Sequence, residues 1–411
     1  VSLASRSEPG VDHHQQQRAA LLLTRPFLLL LAMQGAFGFA LSVFLLLPKI
    51  LTASFAATPS QIGVVMGAFG AASLVSIPFV ARAMIIFDHR RSLVTANLVL
   101  ALGAFGFLLI AGPGPLAAML RGLQGLAWSL GFAGGMALVA ELAPTARLAQ
   151  AIGIFGAASL GMTAIGPAVA EPLGEALGYR AVFLLGGLAA LGGAALARRL
   201  PRLPPLGAGT TEGARGRRRP QASARGAICL VLGTGALAMG VMFTFLAPFA
   251  LARGLTAVRG FFIAYTLSAL AVRILVGPLA DRIGHRRIAV AAAPVYGLVV
   301  VAAGVFGPAR LTALGIGFGS AHGAIFPALM TLLLGDADRH QRARLVGIAN
   351  GSMNLGLAAV YLAGLGAQRI GYPPMFILAG ALMAATTLLL VRARTMGGDA
   401  REATRDRDSK S

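Results

Sequence analysis

The chain has 411 residues, 57% of them hydrophobic and 12% charged, with mean hydropathy +0.78 and a formal net charge of +21. About a quarter of a soluble domain's residues are charged, so this composition excludes a water-soluble globular protein. The single cysteine, Cys229, excludes an internal disulfide and a cysteine-based metal site.

Residues 1–25 are polar, with His13-His14 and Gln15-Gln16-Gln17 among them. They carry no short apolar core of the kind a cleavable signal needs, and read as a solvated tail. A membrane helix takes about 20 predominantly apolar residues. Six such runs follow, at 26–47, 61–81, 92–111, 115–140, 147–170 and 181–197. Residues 198–225 interrupt the pattern with Arg198-Arg199, Pro201, Pro204-Pro205 and Arg217-Arg218-Arg219. Proline and repelling like charge oppose a packed structure, so this stretch is predicted to be a linker. Six more runs lie at 226–250, 258–279, 288–307, 310–334, 344–368 and 373–391, and a polar tail occupies 393–411. The prediction is an all-α polytopic membrane protein with twelve transmembrane helices in two six-helix bundles, 26–197 and 226–392.

Arginine and lysine accumulate in cytoplasmic segments of membrane proteins. With twelve spans and both termini on one side, that side carries 27 of the 35 Lys and Arg. The opposite loops carry six (Lys49, Arg180, Arg253, Arg259, Arg310 and Arg369), and Arg121 and Arg273 fall inside spans. Both termini are therefore expected in the cytoplasm. Because the basic residues lie between apolar runs, the charge reports topology, and nucleic acid is excluded as a partner.

The two halves echo each other. His89-Arg90-Arg91 matches His285-Arg286-Arg287, Gly112-Pro113 matches Gly307-Pro308, Gly153 matches Gly347, and Gly178-Tyr179 with Phe183 matches Gly371-Tyr372 with Phe376. The offsets drift only from 196 to 193. Parallel repeats of this kind pack about an axis along the membrane normal and enclose a central cavity.

The most specific motif is the loop Gly277-Pro-Leu-Ala-Asp281-Arg282-Ile-Gly284-His285-Arg286-Arg287. Together with Arg121, Gln124 and Gly125 in the fourth run and Gly161, Gly166 and Pro167 in the fifth, it resembles the signatures of the major facilitator superfamily of secondary transporters. The resemblance covers residues 26–392 and is greatest to the bacterial drug and sugar efflux branch. It implies a monomeric inner-membrane protein without cofactor, exporting a small organic compound by proton antiport through alternating access. Proton-linked uptake, and a sensor or scaffold without flux, are the alternatives. The first-half copy of the loop signature has Ala81, Ile85 and Asp88 where the family has Gly, Asp and Gly, so its acidic residue is missing there.

Candidate functional residues divide into a gate and a cavity. Asp281 is expected near the start of the following helix, where exposed backbone donors favour a carboxylate. Arg282, Arg286 and Arg287 are expected to pair with Asp336, and Arg90 and Arg91 with Glu141, closing the cytoplasmic end, with plain anchoring at the interface as the other reading. Arg121 lies within a span, where an unpaired cation costs at least about 2.5 kcal/mol. It either faces the cavity or snorkels to the interface. No acidic residue lies in mid-span. His322 is the one span residue that ordinarily titrates near neutrality, and serves either proton coupling with Arg121 or a bond between helices. Gln34, Gln124, Trp128, Tyr265, Asn350, Asn354 and Tyr361 complete the candidate cavity lining, with Asn350 and Asn354 on one helix face by their i, i+4 spacing.

An enzyme is not expected. Ser320 and His322, two residues apart on a helix, point roughly 200° away from each other. Gly315-x-Gly317-x-Gly319 lies inside an apolar run with no strand before it, unlike a nucleotide loop. No metal-ligand cluster appears.

Overall fold

The computed structural model describes residues 22–144, 147–202, 222–335, 337 and 339–408. Residues 1–21 of the predicted tail and 203–221 of the predicted linker lie outside these. Twelve helices are long and apolar enough to cross a membrane, as expected. In chain order they are α1 (Arg25–Phe55), α2 (Pro59–Ile86), α3 (His89–Leu109), α4 (Pro115–Leu142), α5 (Leu148–Leu177), α6 (Tyr179–Ala197), α7 (Ala222–Ala252), α8 (Arg259–Ile283), α9 (His285–Phe306), α10 (Pro308–Leu334), α11 and α12 (Tyr372–Asp408). Helix α11 is two pieces, Arg339–Ala358 and Val360–Ile370, set apart at Ala359.

Local chemistry sets the ends. Thr58 and Gln61 form a reciprocal capping box at the start of α2, and Asp88 caps α3 by accepting from the Arg91 amide. Both arrangements satisfy amides that have no partner in the first turn. The repeat landmarks Gly178 and Gly371 have φ of 82° and 85°, a left-handed conformation that suits glycine. They turn the chain from α5 to α6 and from α11 to α12.

Helix α12 runs on from its apolar run to Asp408, and two helices of the first half, α1 and α5, also run further than their apolar patterns suggest. Helix α1 tightens at Val43–Leu46 and continues to Phe55, because Pro48 sits in the first turn of the continuing piece, where its missing N–H removes no helical bond. Helix α5 continues to Leu177 and carries Glu171 and Glu175 on its last turns. These extensions place Lys49 and both glutamates on rigid helix rather than in loops.

The packing repeats as the sequence does. In the first half α1 packs on α5 and α6, α3 on α4 and α6, and α2 on α4. In the second half α7 packs on α11 and α12, α9 on α10 and α12, and α8 on α10. The halves meet chiefly through α2 with α11, α5 with α8, and α1 with α7. Helices α3, α6, α9 and α12 stand on the flanks, away from this seam.

The seam is tight at the end opposite the arginine-rich loops. A Cβ on Gly63 would lie 3.0 Å from the Gly364 Cα, and one on Gly67 would lie 2.9 Å from the Ala358 oxygen. Small residues let backbones approach this closely where hydrocarbon supplies no hydrophobic drive. The Ser60 amide donates across the same seam to Gln368 at 3.2 Å.

Candidate functional site

In the first half the polar residues collect inside the bundle. Gln34 on α1 is fully buried and donates to the Ser159 hydroxyl of α5 at 2.7 Å. Arg121 on α4 is 6% exposed; its guanidinium donates to Gln124 Oε1 at 2.6 Å and lies 4.7 Å from the centre of the Phe69 ring on α2. Arg121 therefore turns inward and does not snorkel. Its neighbours are a π-face and a neutral amide, both attractive to a cation, but neither neutralises it. Gln34 Oε1, Arg121 Nε and Gln124 Nε2 have no hydrogen-bond partner among the described residues. Trp128 stacks between Phe37 and Phe132, with ring centres 6.4 and 5.1 Å away.

The second half presents an aromatic counterpart. Tyr265 on α8 and His322 on α10 share a hydrogen bond of 2.7 Å between the phenol and Nδ1. Tyr296 on α9 stacks on Phe318 with centres 4.4 Å apart, and its ring centre is 6.0 Å from that of His322. Phe243 of α7 meets Tyr265 edge-on at 5.1 Å. Arg273 lies two turns beyond Tyr265, on the same face of α8 by its i+8 spacing. Arg273 Nε and the Tyr296 hydroxyl have no hydrogen-bond partner among the described residues. Tyr296 was not singled out from the sequence, where one tyrosine in an apolar run carries no signal.

The structure thus gathers Gln34, Arg121, Gln124 and Trp128 within the first bundle, and Tyr265 and His322 within the second. It does not bring Asn350, Asn354 and Tyr361 into either buried cluster. Asn350 and Tyr361 are exposed on α11, Asn354 is half-buried, and the Tyr361 backbone packs against α2 at Gly67.

At the arginine-rich end the expected pairs are revised. Glu141 meets His89 at 2.9 Å rather than Arg90 or Arg91, because His89 opens α3 and is wholly buried against α4. The Arg91 guanidinium instead reaches Asp88, its own helix cap, at 3.5 Å. Arg286 donates to the backbone oxygens of Leu390 and Val391 on α12. Arg282 and Arg287 are exposed. Gly284, with φ 97°, is the turn between α8 and α9. Gly277 has open space where a side chain would begin. The side chain of Asp281 and all of Asp336 lie outside the described residues.

The opposite end holds a cluster that sequence reasoning missed. The Glu171 side chain is fully buried and sits 2.6 Å from Lys49 Nζ on α1. Its two oxygens accept from the Val258 and Arg259 amides, each at 2.9 Å, and Arg259 NH1 is 3.7 Å away. Glu175, one turn on, reaches Lys49 at 3.2 Å. A carboxylate at the start of α8 is favoured by the exposed amides of that helix end. This carboxylate ties α1 and α5 of one half to α8 of the other. The signal was present: of the fourteen acids, only Glu171 and Glu175 fall at the end of the runs where Lys49 and Arg259 lie.

Comparison with known proteins supplies a frame. The family described as Major Facilitator Superfamily matches residues 28–360 and 260–410. A crystal structure of a mutant of the nucleoside transporter NupG superposes with TM-score 0.75 at 10% identity, covering 90% of this chain and 100% of that one. A POT family transporter in complex with a thioalcohol-conjugated peptide gives TM-score 0.75 at 12% identity, covering 90% and 96%. The human organic anion transporter MFSD10 gives 0.64 at 17% identity, covering 91% and 99%.

Proposed function

The chain belongs to the Major Facilitator Superfamily, and on that premise we propose that this membrane transporter exports a small organic compound by proton antiport. It works as a monomer in a bacterial inner membrane, with both termini and the arginine-rich loops in the cytoplasm. The observation that carries the alternating-access reading is the one-sided seam. At the Glu171 end the halves are joined by Glu171 with the Val258 and Arg259 amides, by Ser60 with Gln368, and by the backbone approach of Gly63 to Gly364. That asymmetry supports a state closed to the exterior and open to the cytoplasm. In this reading the cytoplasmic gate comprises Gly277, Asp281, Arg282, Gly284, Arg286, Arg287, Asp336, Glu141, Arg90 and Arg91, and forms only when the other end opens.

Arg121 and Arg273, one in each half, favour a substrate bearing an acidic group, since no carboxylate lies in mid-span to neutralise either. The aromatic rings around Tyr265 and His322 suit an apolar or aromatic body. His322 is the proposed proton carrier, with Arg121 tuning its occupancy through the substrate.

Flux in proteoliposomes tests this. Acid-loaded vesicles diluted into alkaline medium should accumulate labelled aromatic carboxylates at least tenfold over equilibrated vesicles, and Arg121→Ala should abolish the accumulation. Accumulation only in alkali-loaded vesicles under acid medium would establish uptake by symport instead. No flux in either direction would favour the sensor.

A further inference from the structure

The arginine-rich end of the first half holds a cavity of about 300 Å³, lined by Arg90 and Arg91 at the start of α3 and by Arg198 and Arg202 just beyond α6. We propose that it binds the phosphate of an anionic phospholipid headgroup from the adjoining leaflet.

The charges are held in place and left over. Leu200, 1% exposed in the core, pins the segment between Arg198 and Arg202. The amides of 198 to 200 donate back to Ala194, Leu196 and Ala197 of α6. Of the four arginines, Arg91 alone has a carboxylate within ion-pair distance among the described residues, namely Asp88. Four cations around one cavity repel one another unless an anion joins them, and guanidinium groups match phosphate oxygens in pairs.

The cavity's surroundings indicate where that anion comes from. In this state helices α3 and α6 flank the bundle and do not build the seam between halves, so the cavity lies on the lipid-facing side, and Arg90 and Arg91 join the proposed gate only when that end closes. Val94 and Thr95 of its wall lie on a face of α3 that continues to Leu98 and Leu102, both exposed. On α6 the face of Arg198 continues through the exposed Leu191 and Leu188. From Arg91 to Leu102 the rise is about 16 Å, close to one leaflet of a hydrocarbon core about 30 Å thick. A charged head and a leucine track one leaflet long fit a phospholipid. Basic pockets between helices at the cytoplasmic face bind such headgroups.

The repeat supplies an internal contrast. Arg286, the counterpart of Arg90, donates to the carbonyls of Leu390 and Val391 on α12. Helix α12 runs on to Asp408, whereas α6 stops at Ala197. In the second half helix backbone takes up that arginine; in the first the equivalent position is open.

The test uses the full chain, purified and stripped of lipid in neutral detergent, with native mass spectrometry of added lipid as the readout. Phosphatidylglycerol should bind at least tenfold more tightly than phosphatidylcholine. Arg198→Gln with Arg202→Gln should bring the two within threefold. Arg198→Lys with Arg202→Lys should keep most of the preference, and Arg369→Gln at the other face should keep all of it. Equal binding of the two lipids by the wild type, or an unchanged preference in the Gln pair, would overturn the proposal. So would displacement of phosphatidylglycerol by millimolar inorganic phosphate, which would make this a soluble-anion site. Thermal unfolding of each variant separates lost lipid from lost fold.

Discussion

Glu171 is the residue on which the closed end turns. Its carboxylate is out of contact with solvent, so its charge is compensated by Lys49, two α8 amides and the nearby Arg259. Removing one partner of a buried pair leaves the other uncompensated, at a cost of about 3–5 kcal/mol. Lys49 keeps some solvent and Glu175 as a second partner, which puts the expected effect at the lower end. Glu171→Gln should shift the population towards states open at the Lys49 end. Water-soluble thiol reagents should then label a cysteine placed at Val258, which is 2% exposed, at least tenfold faster than in the otherwise wild-type chain. Labelling at the wild-type rate would remove Glu171 from the gate.

Among the helices, α2 and α11 bear most closely on function, because their glycines let the halves meet backbone to backbone. Gly63 faces Gly364 and the Val360 oxygen at 3.0 and 3.2 Å from the position of a Cβ, so a larger side chain there collides with main chain that has nowhere to go. Gly63→Leu should leave each bundle folded, since the glycine lies on the seam and not inside a bundle, but it should prevent closure of the Glu171 end. The expected result is flux reduced by more than tenfold with a melting temperature within a few degrees of wild type. A collapse in expression or melting temperature would show instead that the contact is needed for folding. Helix α11 is divided at Ala359, beside its close approach to α2 at Gly67 and Gly70.

At the scale of the whole molecule the proposed cycle has the halves rock without coming apart, and the seam at Ser60 and Gln368 gives a direct probe. In a Cys229→Ala background, Ser60→Cys with Gln368→Cys joined by a short bifunctional thiol reagent should stop flux, and a cleavable version should restore it on reduction. Flux undiminished by the cross-link would mean that this end does not open. The twelve spans and their pairwise repeat were legible in the sequence because hydrocarbon demands length and apolarity that few other folds require, and because glycine landmarks such as Gly178 and Gly371 mark turns with positive φ. The membrane-embedded polar residues were legible for a related reason: Arg121 and His322 stand out against an apolar background. Their partners were not. The pairing of Glu141 with His89, and of Glu171 with Lys49 and α8, depends on which helices adjoin and on how far α1 and α5 extend, neither of which hydropathy encodes.

One carboxylate that grips three helices from both halves has a kinetic consequence. Separating α8 from this site removes two amide donors and the nearby Arg259 from a buried carboxylate at once, so that motion is opposed by several bonds acting together. Under the proposed proton antiport, half-open intermediates through which protons would slip past the cargo would thereby be kept scarce.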